Sequence, residues 1–115
     1  MRVTSELWVA ATLRRAFASG GFAAVARKGS PEAGAVMITL RDRLGELRLF
    51  GPAPQTSYDE ARPEERRFAE LLRTPDPDAV SARIEREARF DPDLWVVDLE
   101  VSEAVFSELV PVTTP

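Results

Sequence analysis

Carboxylate side chains are the groups in this sequence whose types and spacing could do chemistry. The segment DPDLWVVDLE, residues 91–100, contains four of them: Asp91, Asp93, Asp98 and Glu100. Because carboxylate oxygens bind Mg²⁺ and paired carboxylates act as general acid and base, a magnesium-dependent hydrolase is one interpretation. Its candidate catalytic residues, which include three from a proline-rich segment, are Tyr58, Asp59, Glu60, Asp91 and Asp93.

The acidic residues of DPDLWVVDLE also suit a purely structural role. Asp-Pro-Asp between a helix and a strand is ordinary turn chemistry, because proline disfavours helical geometry at the residue before it. Asp98 and Glu100 alternate with hydrophobic residues and would lie on the polar face of a strand. A helix end followed by a half-buried strand is therefore the alternative to an acidic site.

The residue types that are missing narrow the possible enzyme classes. The sequence has no cysteine and no histidine, which excludes thiolate nucleophiles, disulfides, zinc–sulfur sites, Ser-His-Asp triads and imidazole metal ligands. Carboxylates, hydroxyls, arginines, one lysine and one tyrosine remain. We therefore expect no cofactor, and Mg²⁺ is the alternative that the acidic residues leave open.

Basic residues near a glycine-containing turn form a second candidate site, for an anion. Arg27 and Lys28 lie in ARKGSPEAG, residues 26–34, where turn amides and cations could hold a phosphate. Arg14 and Arg15, on a predicted helix, could extend this patch. The segment lacks the residue order of a P-loop. A hairpin turn whose basic edge discourages sheet-to-sheet association is the alternative.

Charge is distributed unevenly along the chain. The net charge is −4, yet residues 1–50 hold eight basic and four acidic side chains, whereas residues 51–115 hold seven and fifteen. Such asymmetry indicates an anion-binding half, or halves that attract each other within the fold or between subunits. Nucleic-acid binding is not expected, because phosphate neutralisation needs a concentrated basic surface.

Length and hydropathy predict a globular protein. A chain of 115 residues suits a single hydrophobic core, so residues 1–115 are expected to form one domain. Hydrophobic residues make up 44% and charged residues 30% of the chain, values typical of globular proteins. No apolar run approaches the roughly 20 residues that span a bilayer. We therefore expect a cytoplasmic protein without a membrane partner.

The first half of the chain predicts one helix and three strands. Hydrophobic residues at three- and four-residue steps predict a helix over 5–19, with Ser5 as its N-cap. Short β-compatible segments follow at 22–28, 33–40 and 46–50. Because turn residues separate them, they predict an antiparallel meander.

The second half predicts a loop, two helices and a strand. Three prolines indicate a loop over 51–63. Helices are predicted over 63–73 and 77–89, because proline suits the first helical position and acidic residues the first turn. Alternating hydrophobic residues then predict a strand over 94–101.

The order of these elements, α-β-β-β-α-α-β, predicts the fold class. It favours an α+β domain of two layers, with helices on a mainly antiparallel sheet of about four strands. After the last strand, residues 103–109 suit a short helical turn. The segment 102–115 that contains it is expected to be a loosely packed tail.

Two segments of the chain resemble a known family. They are RVTSELWVAATLRRAFASGGFAAVARKGSPEAGAVMITL at residues 2–40 and ARFDPDLWVVDLE at residues 88–100. The pairing of an ELWV-type first helix with a DPDLWVV strand is similar to a family of small uncharacterised bacterial proteins, classed as a domain of unknown function. The resemblance implies a small intracellular protein and carries no activity, cofactor or catalytic residue.

The sequence therefore favours a non-enzymatic binding or interaction module. This hypothesis rests on the missing nucleophile and histidine chemistry, on the lack of a cofactor loop and on the charge asymmetry. A protein partner or a homodimer is expected, because the final strand could lie at a sheet edge. The alternative is a magnesium-dependent hydrolase or a nucleotide- or anion-binding enzyme that uses the acidic residues.

Overall fold

Three helices and five strands follow one another in the described part of the chain. The computed structural model describes residues 3–54 and 66–113. In chain order the elements are α1 (Ser5–Ala18), β1 (Phe22–Arg27), β2 (Val36–Arg41), β3 (Leu47–Pro52), β4 (Phe68–Thr74), α2 (Pro77–Phe90), β5 (Trp95–Glu100) and α3 (Glu103–Leu109). No helix in the two described ranges is long and apolar enough to cross a membrane.

Helix α1 is capped by Thr4, whose hydroxyl oxygen accepts a hydrogen bond from the Leu7 amide at 3.3 Å. Ser5 is fully buried, and its hydroxyl donates to the Gly34 carbonyl at 2.5 Å. The prediction of Ser5 as the N-cap is therefore wrong by one residue. Its hydroxyl instead ties the start of the helix to the loop before β2.

The five strands of the described residues form one mixed sheet in the order β1-β5-β2-β3-β4. The pair β2–β5 is parallel, and the other three pairs are antiparallel. Helix α2 is a crossover from β4 to β5, which run in the same direction. The α+β class is confirmed, but a sheet of about four strands is one strand too few. The expected edge position of the final strand is wrong, because the crossover inserts β5 between β1 and β2.

Hydrophobic residues cover both faces of the sheet, and helices lie on both faces. Helices α1 and α3 share one core with Ile38, Phe50 and Val97, each 0% exposed. Helix α2 covers the other face, where Val80 packs in a second core with Met37. The expected two-layer arrangement is therefore wrong. Successive residues of β2 and β5 are apolar on both sides, so each face needs a helix to cover it.

Strand β4 lies where the sequence predicts a helix. It pairs with β3 through a register shift that makes Leu71 the extra residue of a β-bulge. Leu71 and Leu72 both pack against the core under α2, and together with Phe68 they imitate the spacing of a helix. The predicted helix over 63–73 is therefore wrong for its described residues, because pairing with β3 overrides helix propensity.

The chain after β5 is packed against the rest of the fold. Helix α3 confirms the helical turn predicted over 103–109. Its residues Phe106 and Leu109 are buried in the core shared with α1. Residues 111–113 then pair with the start of β4. The expectation of a loosely packed tail is therefore wrong for residues 102–113.

Candidate functional site

The predicted acidic residues separate into two groups at opposite ends of β5. Asp91 and Asp93 precede the strand, whereas Asp98 and Glu100 lie at its carboxyl end. At about 3.3 Å per residue, Asp93 and Asp98 are roughly 16 Å apart. The four carboxylates therefore do not form one site.

The first acidic group builds a turn. Asp91 is the C-cap of α2, and its Oδ1 accepts a hydrogen bond from the Asp93 amide at 3.1 Å. The Asp93 carbonyl accepts a hydrogen bond from the Ser30 amide at 3.0 Å. A side chain at Gly29 or Gly34 would collide with this carbonyl. The helix-end interpretation of Asp-Pro-Asp is confirmed, and a catalytic role for the two aspartates stays a prediction.

Part of the predicted anion-binding set is engaged within the fold. Arg27 donates through Nε to the Leu94 carbonyl at 3.2 Å and through Nη2 to the Pro92 carbonyl at 3.1 Å. These bonds fasten β1 to the segment that leads into β5. The other members of the set are exposed: Arg14, Arg15 and Lys28. Anion binding by the set stays a prediction.

The remaining acidic candidates lie outside the described residues. Tyr58, Asp59 and Glu60 fall between residues 54 and 66, as does most of the predicted loop over 51–63. Within the described ranges, no three Asp or Glu side chains form a group that could hold a metal ion. The magnesium-dependent alternative stays a prediction.

A groove of about 470 Å³ lies between α2 and β1, over the central strands β2 and β5. We call it the β2–β5 groove. Its walls include Val80 and Ile84 of α2 and Phe22 of β1, and its polar lining includes Thr39 and Asp98. Apolar walls with a few convergent polar groups are typical of sites for small ligands. The groove is therefore the candidate functional site.

Thr39 and Asp98 are neighbours across the parallel pair β2–β5. The Thr39 hydroxyl donates to Asp98 Oδ1 at 2.6 Å, with Thr39 buried and Asp98 half-buried. No lysine or arginine of the described residues lies within ion-pair distance of Asp98. The carboxylate is thus held in place by a neutral donor, and its charge has no cationic partner there.

The rim of the groove carries an ion pair. Arg41 Nε lies 3.5 Å from Glu100 Oε1, and the two side chains are 54% and 49% exposed. Glu85 lies across the groove on α2. Among the lining residues two arginines face three carboxylates, which leaves one excess negative charge.

Outside the groove, Arg48 joins the first half of the chain to the second by ion pairs. Arg48 contacts Glu70 Oε1 at 2.5 Å and Glu103 Oε1 at 2.8 Å, and Arg73 contacts Glu70 at 3.0 Å. Burial opposes ionisation of Glu70, but hydrogen bonds and charges from Arg48 and Arg73 outweigh it, so the pKa of this carboxyl lies below its ordinary value. The pKa of Arg48 is raised by its two glutamates in spite of burial. Part of the basic excess of residues 1–50 is therefore paired with acidic residues of the second half within the fold.

Strand β1 forms an edge of the sheet, because β5 is its one neighbour among the described strands. Phe22 and Val25 on this strand are 50% and 38% exposed. Phe17, at the end of α1, lies edge-to-face with Phe22 at 5.9 Å between ring centres. We call the outer side of β1 with these three side chains the β1 edge surface. Such an edge is a template for pairing with another chain.

The polar lining of the β2–β5 groove includes residues that the sequence did not single out as candidates, among them Thr39 and Arg41. Thr39 interrupts the apolar run VMITL of β2, and a polar residue inside a buried strand signals a hydrogen-bonded partner. That signal could have been found. Arg41 has no comparable signal, because its partner Glu100 comes from a distant part of the chain.

Comparisons with known proteins agree with one another. A family model described as "Protein of unknown function (DUF1491)" matches residues 3–106. The solution structure of protein Atu0922 from A. tumefaciens is similar over 100% of this chain and 98% of that chain, with 43% sequence identity and a TM-score of 0.84.

Two structures of a DUF1491 family protein from Caulobacter crescentus CB15 are also similar, one crystallographic and one from NMR. Each has 38% sequence identity and a TM-score of 0.77 over 99% of this chain, and the match covers 100% and 99% of the two chains. No curated protein matches the chain.

Proposed function

The chain belongs to the DUF1491 family of bacterial proteins of unknown function, and from its surfaces we propose that it is a non-enzymatic interaction module. The proposed partner is a second copy of the chain, and the proposed contact is the β1 edge surface. The observation that carries this proposal is that no strand of residues 3–54 and 66–113 pairs with the outer side of β1, beside exposed Phe17, Phe22 and Val25. The homodimer expected from the sequence is kept, with β1 in place of β5.

Backbone groups supply the first argument for pairing. In a strand, alternate backbone amides and carbonyls point to opposite sides, so about half of those in β1 point away from β5. A second β1 would satisfy these groups with hydrogen bonds and would remove Phe22 and Val25 from water. The two copies would then share one continuous sheet.

Charge complementarity supplies the argument for a second copy as the partner. Glu100 lies opposite Phe22 in the β1–β5 register, at one end of β1. Arg27 and Lys28 lie at the other end. A two-fold axis beside the middle of β1 reverses the second strand, so the basic end of each copy lies toward the end of the other at which Glu100 is found. Opposite charges therefore lie at both ends of the contact, with each Glu100 one strand behind the paired β1 strands.

A β-bulge limits how far this pairing extends. The register of β1 shifts between Val25 and Arg27, so the strand is regular only over its first residues. Bulges and basic residues at an edge discourage open-ended association of sheets. We therefore expect a closed dimer rather than a growing assembly.

Sedimentation velocity across micromolar to millimolar concentrations tests the proposal. We expect the wild-type chain to shift reversibly from monomer to dimer, and Val25→Lys to stay monomeric because lysine blocks a strand edge. Leu44→Lys is the matched control, since Leu44 is 94% exposed in the turn between β2 and β3. A wild-type chain that stays monomeric at millimolar concentration contradicts the proposal, as does equal weakening by both variants.

A charge exchange tests whether the partner is a second copy. Lys28→Glu and Glu100→Lys should each weaken dimerisation, because each places like charges together at both ends of the contact. The double variant should recover it. If the double variant dimerises no better than the single variants, the two-fold contact is wrong, and the β1 edge surface would serve a different protein.

A further inference from the structure

We propose that the β2–β5 groove binds an organic cation, namely an alkylammonium or alkylguanidinium group on a short aliphatic stem. The juxtaposition behind this proposal is the Asp98 carboxylate on the floor of the groove, the excess negative charge of the lining and the apolar walls. The proposal does not rest on pairing through β1, although Phe22, Arg27 and Glu100 belong both to the groove and to the proposed dimer contact.

The Asp98 carboxylate is positioned but not neutralised. The Thr39 hydroxyl donates to it at 2.6 Å, and both residues lie on central strands whose backbones are paired on two sides. A hydroxyl orients a carboxylate without compensating its charge. Hydrogen bonds between ionised groups are stronger than those between neutral groups. An incoming ammonium or guanidinium group would therefore bind the Asp98 carboxylate more strongly than the Thr39 hydroxyl does, and it would supply the cationic partner that the described residues do not provide.

The arginines of the groove are occupied elsewhere. Arg27 donates to two backbone carbonyls, and Arg41 pairs with Glu100. Neither arginine forms an ion pair with Asp98, since no nitrogen of their side chains lies within 4.0 Å of a carboxylate oxygen of Asp98. The excess charge of the lining is negative, so the groove attracts cations and repels anions.

The walls of the groove suit an aliphatic stem. Val80 and Ile84 line the α2 side, and Leu47 lines the end near β3. Phe22 is 50% exposed at the β1 side, where an aromatic face can attract a cation. The volume of about 470 Å³ lies within the range of sites for small ligands.

Titration of the 115-residue chain with n-butylammonium, followed by ¹⁵N–¹H NMR, tests the proposal. We expect saturable shifts at the amides of Thr39, Asp98 and Ile84, whereas n-butanol and butyrate at equal concentration leave these amides unchanged. Nα-acetyl-lysine methylamide forms the second arm. Tighter binding of this probe assigns the site to a lysine side chain of a peptide, and tighter binding of n-butylammonium assigns it to a free amine.

Two variants separate the site from general charge effects. Asp98→Asn keeps an oxygen that accepts from Thr39 but removes the charge, so binding should weaken about tenfold. Asp93→Asn, at the other end of β5, is the matched control and should bind like the wild type. Val25→Lys should also bind, which keeps this test separate from that of dimerisation. Unchanged affinity in Asp98→Asn, equal shifts with butyrate, or no shift with either cation would overturn the proposal.

Discussion

The two edges of the sheet differ in what covers them. At the β4 edge, the chain folds its own C-terminal segment against the start of the strand. The Phe68 amide donates to the Pro111 carbonyl, and the Thr113 amide donates to the Phe68 carbonyl, each at 2.8 Å. At the β1 edge, no strand or segment among residues 3–54 and 66–113 pairs with the outer side.

The side chains of the two edges differ as well. Glu70 and Arg73 form an ion pair on β4, a strand whose charges discourage association. On β1, Phe22 and Val25 are partly exposed. Among the described residues, the C-terminal segment pairs with the start of β4 and no segment pairs with the outer side of β1, which supports the proposal that the β1 edge surface is a contact surface.

The largest expected change in unfolding free energy comes from truncating Phe106, which packs α3 against the core next to the C-terminal segment at the β4 edge. Phe106 is 3% exposed, and its ring lies 4.8 Å from that of Phe50. Phe106→Ala should lower the free energy of unfolding by about 3–5 kcal/mol, measured by urea denaturation, because it leaves a cavity under α3. Ser107→Ala, on the exposed side of α3, is the control. A loss below about 1 kcal/mol for Phe106→Ala would show that α3 is not packed as described.

Removal of the cover itself should have an intermediate effect. Deletion of residues 111–115 removes the two backbone hydrogen bonds to Phe68, which should cost about 1–3 kcal/mol of unfolding free energy. It also bares the β4 edge, so we expect additional self-association by sedimentation. Deletion of residues 114–115 alone is the matched control. If the longer deletion changes neither stability nor association, the cover has no protective role.

Elements with local signals could be predicted from the sequence. Helix α2 begins at Pro77, as predicted, with Asp76 as its N-cap, and it ends at Phe90, one residue beyond the predicted end at 89. Strand β5 lies within the strand predicted over 94–101, although apolar and polar residues alternate only in its second half. Caps, prolines and alternation act on neighbouring residues, so a single sequence contains the information.

Features that depend on distant residues could not be predicted in this way. Phe68, Leu71 and Leu72 have the sequence spacing of one face of a helix. A β-bulge accommodates this spacing in a strand, and pairing with β3 is what distinguishes the strand from a helix. The order of strands decides that Thr39 meets Asp98, and no local pattern encodes that order. The β2–β5 groove and the edge position of β1 both follow from this non-local order of strands.

The smallest expected effect concerns the ion pairs of the covered edge. Because the pKa of Glu70 is lowered in the folded state, its charge contributes stability above its ordinary pKa, and this contribution is lost as the pH falls through the lowered value. Glu70→Gln should therefore cost about 0.2–1 kcal/mol at neutral pH and little at the acid end, measured by urea denaturation. Glu108→Gln, an exposed position on α3, is the control. If Glu70→Gln lowers the unfolding free energy as much in acid as at neutral pH, the ionised form of Glu70 is not what stabilises the fold.

Amide hydrogen exchange as a function of protein concentration compares the two edges most directly. If copies pair through β1, the outward-facing amides of Phe22–Arg27 should exchange more slowly as the concentration rises from micromolar to millimolar, whereas the amides of Phe68–Thr74 should keep a constant rate. Outward β1 amides that exchange equally fast at every concentration would contradict the proposal that the β1 edge surface joins two copies of this protein.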